Sequence, residues 1–172
     1  MIKITTPRLT MRSILQEDRT LFFDLHSDHR VIERCFDPMD EQAIEEKFAG
    51  RVVPWELTSG DWLSLVIIEN ETGNKVGITG FKYENNIAEL GYLLLPKFYG
   101  HGYCSETLTE LLNWAYETHK ISDFKAVVTE GNVASESVLK KCNFILDEII
   151  PQNYQIGGCY FDDHIYIKKH TL

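Results

Sequence analysis

Two glycines stand between a predicted strand and a strongly amphipathic helix, in the run Gly100-His101-Gly102-Tyr103-Cys104-Ser105-Glu106. Glycine adopts positive φ angles at little cost, so the chain can turn sharply here and approach a ligand closely. The following helix offers unpaired N–H groups and the positive end of its dipole, which favour a phosphate group. The run matches neither Gly-x-Gly-x-x-Gly nor a P-loop, so it does not indicate dinucleotide redox chemistry or nucleotide hydrolysis. Taken alone, it also fits a plain connecting turn.

Hydrophobic periodicity on both sides of this turn predicts a mixed α/β chain. Successive strands joined by short turns, such as Asn85-Asn86, predict a largely antiparallel sheet with helices on both faces. At this length we expect one domain over residues 1–172. The predicted strands are residues 8–14, 62–68, 75–83, 87–95, 124–129, 145–150 and 160–167, and the predicted helices are residues 17–27, 40–50, the segment from the glycine turn to Thr118, and 132–141.

The charge balance limits the partners. The chain has 17 Lys and Arg against 26 Asp and Glu, which gives a net charge of −9. Few surplus cations are available to displace counterions from nucleic acid or to bind an anionic membrane, so neither partner is expected. Cationic small molecules and amine-bearing proteins are electrostatically easier partners.

Cysteine and histidine spacing indicates neither a disulfide framework nor a metal site. The absence of a Cys-x-x-Cys pair predicts reduced thiols, and the absence of a signal peptide or a long apolar run predicts a cytoplasmic protein. His26 and His29 lie three residues apart on a predicted helix without a ligand partner at suitable spacing, so we expect a surface pair. The four cysteines are Cys35, Cys104, Cys142 and Cys159.

Four ordered motifs resemble the GNAT superfamily of N-acetyltransferases, and most closely its ribosomal-protein N-terminal acetyltransferase-like branch. They are residues 6–12, 88–92, 96–106 and 132–144, so the resemblance spans nearly the whole chain. It implies a single-domain GNAT (acyl-CoA N-acyltransferase) fold, with acetyl-CoA as cosubstrate and a primary amine as acceptor. The acceptor so implied is a protein N-terminal amine or a small cationic amine such as a polyamine or an aminoglycoside. A monomer or a homodimer is expected.

The resemblance also implies which residues hold the coenzyme. Backbone amides of the glycine turn bind the pyrophosphate in this family, and the backbone of the preceding strand, at Leu94, pairs with the pantetheine arm. Asn132 is expected near the thioester as well as at a helix cap. His101 stands where a Lys or Arg is common and is either a phosphate contact or a solvated turn residue, while Cys104 replaces a smaller residue and could crowd the phosphates. The implied turn residues are Gly100, His101, Gly102, Tyr103, Cys104 and Ser105.

Two residues are candidates for proton transfer. Ser135 could return a proton to the departing thiolate, because Leu139 stands where many family members have a Tyr; a capping role alone is the alternative. The attacking amine must be neutral, and amine pKa values of about 8 to 10.4 call for a base. Glu89 shares a strand face with Gly91 and Leu93, where a lone carboxylate among apolar residues should have a raised pKa. The alternatives are a solvated or Lys/Arg-paired Glu89, and a base that acts through water.

Further residues could shape an acceptor pocket, although a plain surface or core role is the better prediction for each of them. They are Glu33, Asp37, Asp162 and Asp163, with Phe36, Trp55 and Trp62 as walls. Two rival functions remain open at this point: a non-catalytic coenzyme A-binding module on the same fold, and a site for another nucleotide at the glycine turn.

Overall fold

The computed structural model describes residues 1–169, so the last three residues of the predicted domain lie outside the described part. Short 3-10 turns at Gln16–Asp18 and Pro96–Phe98 precede the first and fourth helices. The strands are β1 (Lys3–Thr5), β2 (Leu9–Ser13), β3 (Trp62–Glu69), β4 (Lys75–Glu84), β5 (Ile87–Leu94), β6 (Asp123–Thr129), β7 (Ile145–Ile156) and β8 (Cys159–Lys169); the helices are α1 (Arg19–Ser27), α2 (His29–Ile32), α3 (Glu41–Arg51), α4 (Tyr103–His119) and α5 (Val133–Lys141).

The eight strands form one sheet in the order β1-β2-β3-β4-β5-β6-β8-β7. Every neighbouring pair is antiparallel except β5 and β6, which run parallel. The predicted mixed, mostly antiparallel sheet is therefore confirmed. The β5–β6 pairing covers only Ala88 with Phe124 and Glu89 with Lys125, so beyond these positions the two strands separate.

Helices cover both faces of the sheet, as predicted. On one face α4 buries Leu108, Leu111 and Leu112 against the sheet, and Leu139 of α5 joins the same core. On the other face α1, α2 and α3 enclose a second core around Phe22 and Phe48. Side chains alternate between the two faces along each strand, so β3 contributes to both cores.

The predicted elements are present, with three differences. The sequence did not indicate β1 or α2, because three or four residues are too short to show a period. Strand β7 also continues past its predicted end at Ile150 through Pro151 to Ile156. It does so because irregular pairing between Ile150 and Tyr154, with Gln152 at a φ of 49°, takes the proline out of the regular ladder.

Asparagines occupy left-handed positions in two turns. Asn85 and Asn86, at φ values of 52° and 64°, form the predicted two-residue turn between β4 and β5. Asn143, at a φ of 62°, follows the end of α5.

The expectation that His26 and His29 form a surface pair is wrong. His29 is exposed and lies 3.5 Å from Glu33. His26 is only 3% exposed, with its ring stacked between those of Phe22 and Phe36 at centroid distances of 3.9 and 5.6 Å. Its Nδ1 donates to the Phe22 carbonyl at 2.7 Å, because a carbonyl oxygen can only accept. Burial lowers the pKa of His26 to about 4.

This buried imidazole makes the stability of the fold depend on pH. As the pH falls below 6.5 the unfolded chain protonates His26, whereas the folded chain keeps it neutral until about pH 4. We therefore expect His26 to remove about 2 kcal/mol of unfolding free energy between pH 7 and pH 5. Urea unfolding of the wild type and of His26→Asn, which keeps a donor near the Nδ1 position, measures the difference. His29→Asn is the matched control and should follow the wild type; an equal pH dependence in all three proteins would contradict the assignment.

Candidate active site

The separation of β5 and β6 opens a cleft of about 290 Å³ in the sheet. Its walls are the separating strands, the neighbouring strands β3 and β4, the beginning of α5, and the layer formed by α1, α3 and the segment between α2 and α3. The cleft therefore lies where the only parallel strand pair among the described residues comes apart.

The edge of β5 that faces the opening carries free backbone groups. The N–H of Leu95 donates to the Val76 carbonyl at 2.9 Å, on the β4 side of the strand. Backbone groups alternate in direction along a strand, so those of Tyr92 and Leu94 point to the opposite edge, into the gap that β6 has left. The side chain of Leu94 is buried in the core, so only its backbone faces the opening.

The glycine turn lies directly beyond β5. Gly100 and Gly102 have φ values of 79° and 76°, and α4 begins at Tyr103. The first hydrogen bond of the helix is that from Glu106 N–H to the Gly102 carbonyl, at 3.1 Å. Within residues 1–169, no N–H group from Gly100 to Ser105 donates to a protein acceptor. The turn thus presents consecutive free donors at the positive end of a 17-residue helix, an arrangement that binds phosphate.

Arg8 and Glu106, whose roles sequence reasoning missed, fix this turn in place. Arg8 donates from Nε to Glu106 Oε2 at 2.7 Å and from Nη1 to the His101 carbonyl at 3.0 Å. Although burial acts to raise the pKa of Glu106, hydrogen bonds from Thr6 and Arg8 hold it below its usual value. The Thr-Pro-Arg-Leu motif was the available signal, because it places Arg8 at the start of β2 without naming a partner.

The two unusual residues of the turn do not block it. The side chain of Cys104 packs against the core, so it is directed into the protein. Burial raises the pKa of its thiol, which keeps it protonated and unreactive. His101 lies at the exposed surface, with its ring 5.4 Å from that of Tyr103, and its carbonyl is held by Arg8.

A pair of hydroxyl groups bridges the opening between β5 and α5. The hydroxyl oxygens of Tyr92 and Ser135 lie 2.6 Å apart, and both residues line the cleft. The Asn132 side chain accepts from the Ser135 N–H at 3.2 Å, which confirms its capping role. Burial raises the pKa of Tyr92, so its phenol stays protonated at neutral pH. A tyrosine hydroxyl thus lies beside Ser135, although α5 itself has Leu139 one turn further on.

Glu89 is not the lone carboxylate that its strand face suggested. Its Oε2 lies 2.8 Å from Nζ of Lys125, at the last position where β5 and β6 pair. The alternative of a Lys-paired carboxylate is the one that the structure bears out. Glu89 shares a face with Gly91 and Leu93, which line the cleft, but it does not line the cleft itself. A proton could reach it from the cleft only through water.

The remaining candidates divide into those at the cleft and those away from it. Phe36 and Trp62 line it, and the Trp62 ring covers Gly91 so closely that a Cβ there would lie 2.9 Å from the indole. Trp55 instead packs on Phe81 and His119. The four predicted acidic residues do not line the cleft: Glu33 contacts His29, Asp37 accepts from Gly157 N–H, Asp162 from Gln152 N–H and Asp163 from Asn153.

No helix of residues 1–169 is long and apolar enough to cross a membrane. No group of three or more His, Cys, Asp or Glu side chains there is arranged to hold a metal ion.

Comparisons with known proteins agree with this geometry. The family model described as an acetyltransferase (GNAT) domain matches residues 8–145. The uncharacterised N-acetyltransferase YoaA of Bacillus subtilis is 25% identical over 95% of this chain and 94% of its own length. The Salmonella typhimurium acetyltransferase that modifies the N-terminal serine of ribosomal protein L7/L12 superposes with a TM-score of 0.84 and 19% identity, covering 99% and 100% of the two chains.

A second similar structure contains the coenzyme. The spermidine N-acetyltransferase from Vibrio cholerae in complex with CoA and spermine has a TM-score of 0.82 and 15% identity, covering 95% of this chain and 96% of that one. At such identities these two structures show the fold alone. The match to the family model shows the family to which the chain belongs. The chain belongs to the GNAT family of acetyltransferases, and it is an N-acetyltransferase that uses acetyl-CoA as cosubstrate.

Proposed function

We propose that the protein transfers the acetyl group of acetyl-CoA directly to the α-amine of a protein or peptide N-terminus bound in the cleft. The observation that carries the proposal is the position of the β5–β6 gap, which has the free amides of residues 100–105 at one end and the cleft at the other. A coenzyme with its pyrophosphate on the turn and its pantetheine arm along Leu94 would bring its thioester to Tyr92 and Ser135. The similar acetyltransferase of ribosomal protein L7/L12 supports an N-terminal acceptor.

A polyamine is the second candidate acceptor, since a spermidine acetyltransferase has a similar structure. The lining of the cleft argues against it. Arg34, Lys47 and Arg51 line the cleft, and no Asp or Glu of residues 1–169 does. A polycation would therefore meet like charges and no counter-charge.

The chemistry needs no covalent enzyme intermediate. The neutral amine attacks the thioester carbonyl, and a free N–H on the exposed edge of β5 stabilises the developing oxyanion. The C–S bond breaks as the C–N bond is completed. Ser135, backed by the Tyr92 phenol, gives a proton to the departing thiolate and recovers one from the nitrogen as the amide forms, whereas Glu89 takes the first proton of the ammonium group through water before the attack.

Acetyl-CoA should stabilise the protein through the glycine turn. A ligand at 100 times its dissociation constant adds about 2.7 kcal/mol of unfolding free energy. We expect acetyl-CoA and desulfo-CoA to raise the melting temperature by several degrees, and ATP to leave it unchanged. An unchanged melting temperature with acetyl-CoA, in protein free of bound coenzyme, would rule out the turn as the coenzyme site.

Gly102→Ala tests the turn itself. Alanine at a φ of 76° costs about 1–2 kcal/mol of unfolding free energy and places a Cβ 3.6 Å from the Arg8 guanidinium. Gly158→Ala is the matched control, because Gly158 has a φ of 78° in the β7–β8 turn with open space around it. Both variants should lose similar stability, but only Gly102→Ala should weaken acetyl-CoA binding by calorimetry. Equal affinities in the two variants would contradict the assignment.

The hydroxyl pair should behave as one catalytic unit. We expect Ser135→Ala and Tyr92→Phe each to lower kcat by about 10²-fold, the lower range for general acid catalysis, with little change in acetyl-CoA affinity. Because the two groups act through one hydrogen bond, the double variant should lose little more than either single one. Ser137→Ala, at an exposed position of α5, is the control. Multiplicative losses in the double variant would show that the hydroxyls act separately.

Glu89→Gln tests the base. We expect kcat at pH 7 to fall by about 10²-fold and the loss to shrink as the pH approaches the pKa of the amine, since the amine then deprotonates unaided. The matched control is Glu84→Gln, which removes the nearby ion pair with Lys82, 3.0 Å long, from the end of β4. Equal activities of the two variants across the pH range would assign Glu89 a structural role beside Lys125.

A further inference from the structure

We propose that the acceptor carries an anionic group, a carboxylate or a phosphate, and that Lys47 and Arg51 bind this group while the amine faces the β5–β6 gap. The proposal rests on the proposed function, because it names the substrate class of the same site. It adds two binding residues on α3 that no motif of the chain indicates.

The lining of the cleft has the opposite charge to the chain as a whole. Acidic residues outnumber basic ones by 26 to 17 in the sequence. The cleft is nevertheless lined by Arg34, Lys47 and Arg51 and, within the described residues, by no carboxylate. A concave surface that collects cations in an acidic protein is suited to an anionic group of a ligand.

Lys47 and Arg51 lie four residues apart on α3, so both point from the same side of the helix. Each is half-buried and held against an aromatic ring rather than an acid. Nζ of Lys47 lies 4.8 Å from the centroid of Phe36, and the guanidinium carbon of Arg51 lies 4.9 Å from a ring centroid of Trp62. Such contacts orient a cation without neutralising it.

Neither side chain forms an ion pair with an Asp or Glu in the part of the chain that the structure describes. Other arginines do so: Arg12 lies 2.7 Å from Asp18, and Arg19 lies 2.7 Å from Glu45. The one carboxylate that acts on Arg51 is Asp61, and it does so only through its electrostatic field. The two cations in the cleft therefore retain their capacity to bind an anion.

The burial and mutual repulsion of Lys47 and Arg51 lower the stability of the protein when no ligand is bound. Burial and the nearby Arg51 lower the pKa of Lys47, and burial lowers the pKa of Arg51 to about 10. The neighbouring His26 is buried and neutral at pH 7, so it does not offset the charge. Two like charges that are half-buried without a partner disfavour the unliganded fold, and a bound anion removes the penalty. Preorganised, unpaired cations of this kind are characteristic of a recognition site.

The position of these groups also sets the orientation of the acceptor. Arg51 lies on Trp62, which covers Gly91 of β5, while the Tyr92–Ser135 pair lies next along the strand at the gap. The third cation, Arg34, is exposed at the side of Gly131, just before α5. An acceptor whose anion rests on α3 thus directs its amine towards the hydroxyl pair. Free amino acids, aminoalkyl phosphates and peptide N-termini with an acidic residue share this chemistry.

The test compares acceptors that differ only in charge. The pairs are Ala-Glu amide against Ala-Gln amide, alanine against alanine amide, and phosphoethanolamine against ethanolamine, with spermidine as the cationic extreme. We expect kcat/KM of at least one anionic member to exceed that of its neutral partner at least tenfold. Lys47→Met should abolish the preference by raising KM for the anionic acceptor, whereas Lys3→Met, at an exposed position of β1, should keep the preference. An equal or greater rate with spermidine, or a preference that survives Lys47→Met, would overturn the proposal.

A binding measurement separates this inference from the proposed function. With CoA present to occupy the glycine turn, glutarate and inorganic phosphate serve as unreactive probes in thermal melting. We expect at least one of them to raise the melting temperature of the wild type and of Lys3→Met, but not that of Lys47→Met. Such a shift without acetylation of any amine would keep the anion site and reject the proposed function. The same response in the wild type and Lys47→Met, or none with either probe, would reject the anion site.

Discussion

The separation of two parallel strands is the feature on which the rest of this molecule depends. β5 and β6 pair at only two positions, and the sheet is then open along the remainder of both strands. Unpaired backbone groups in a protein interior are costly, so an open edge of this kind persists where a ligand can satisfy it. In the proposed function that ligand is the coenzyme, and the same opening forms the acceptor cleft. One interruption of the sheet would then provide both binding surfaces and bring them together.

Contacts distant in sequence hold the parts around this opening. Arg8 and Glu106, 98 residues apart, tie the glycine turn to the start of β2. Tyr92 and Ser135, 43 residues apart, link the open edge of β5 to the first turn of α5. At the closed end of the opening, the Glu89–Lys125 ion pair joins β5 and β6 at their last paired position. The opening is thus bounded by one ion pair and one pair of hydroxyl groups, and only the hydroxyl pair lines the cleft.

The features that the sequence revealed are those with a local physical cause. The amphipathic stripe of α4, the two positive-φ glycines before it and the turn at Asn85-Asn86 follow from neighbouring residues alone. Asn132 was recognisable because a cap acts within its own first turn. The motifs of a family then added the coenzyme, which no single motif could have assigned.

The features that the sequence concealed depend on which strands and helices become neighbours. Glu89 looked isolated because Lys125 is 36 residues away and approaches only through the parallel pairing of β5 and β6. His26 was expected at the surface as a polar residue paired with His29, yet it lies four residues after Phe22 on the buried stripe of α1, and Phe36 from beyond α2 covers its ring. The missing tyrosine of α5 was sought one turn along the same helix, whereas Tyr92 reaches Ser135 from the sheet. Periodicity predicts that an element exists but does not predict what covers it.

Net charge is the weakest guide to what this protein binds. The −9 charge of the chain lies largely at the surface, where ions screen interactions beyond about 8 Å at physiological ionic strength. Lys47 and Arg51 are half-buried, so their attraction for a ligand inside the cleft is screened much less. The surface charge changes the rate at which a ligand associates, whereas the charges in the cleft change how long the ligand stays bound. For an anionic acceptor the two effects oppose each other, so added salt should speed association while weakening the bound complex comparatively little. An acidic protein can therefore select an anionic amine, because recognition depends on the few charges that the ligand contacts after water has been displaced.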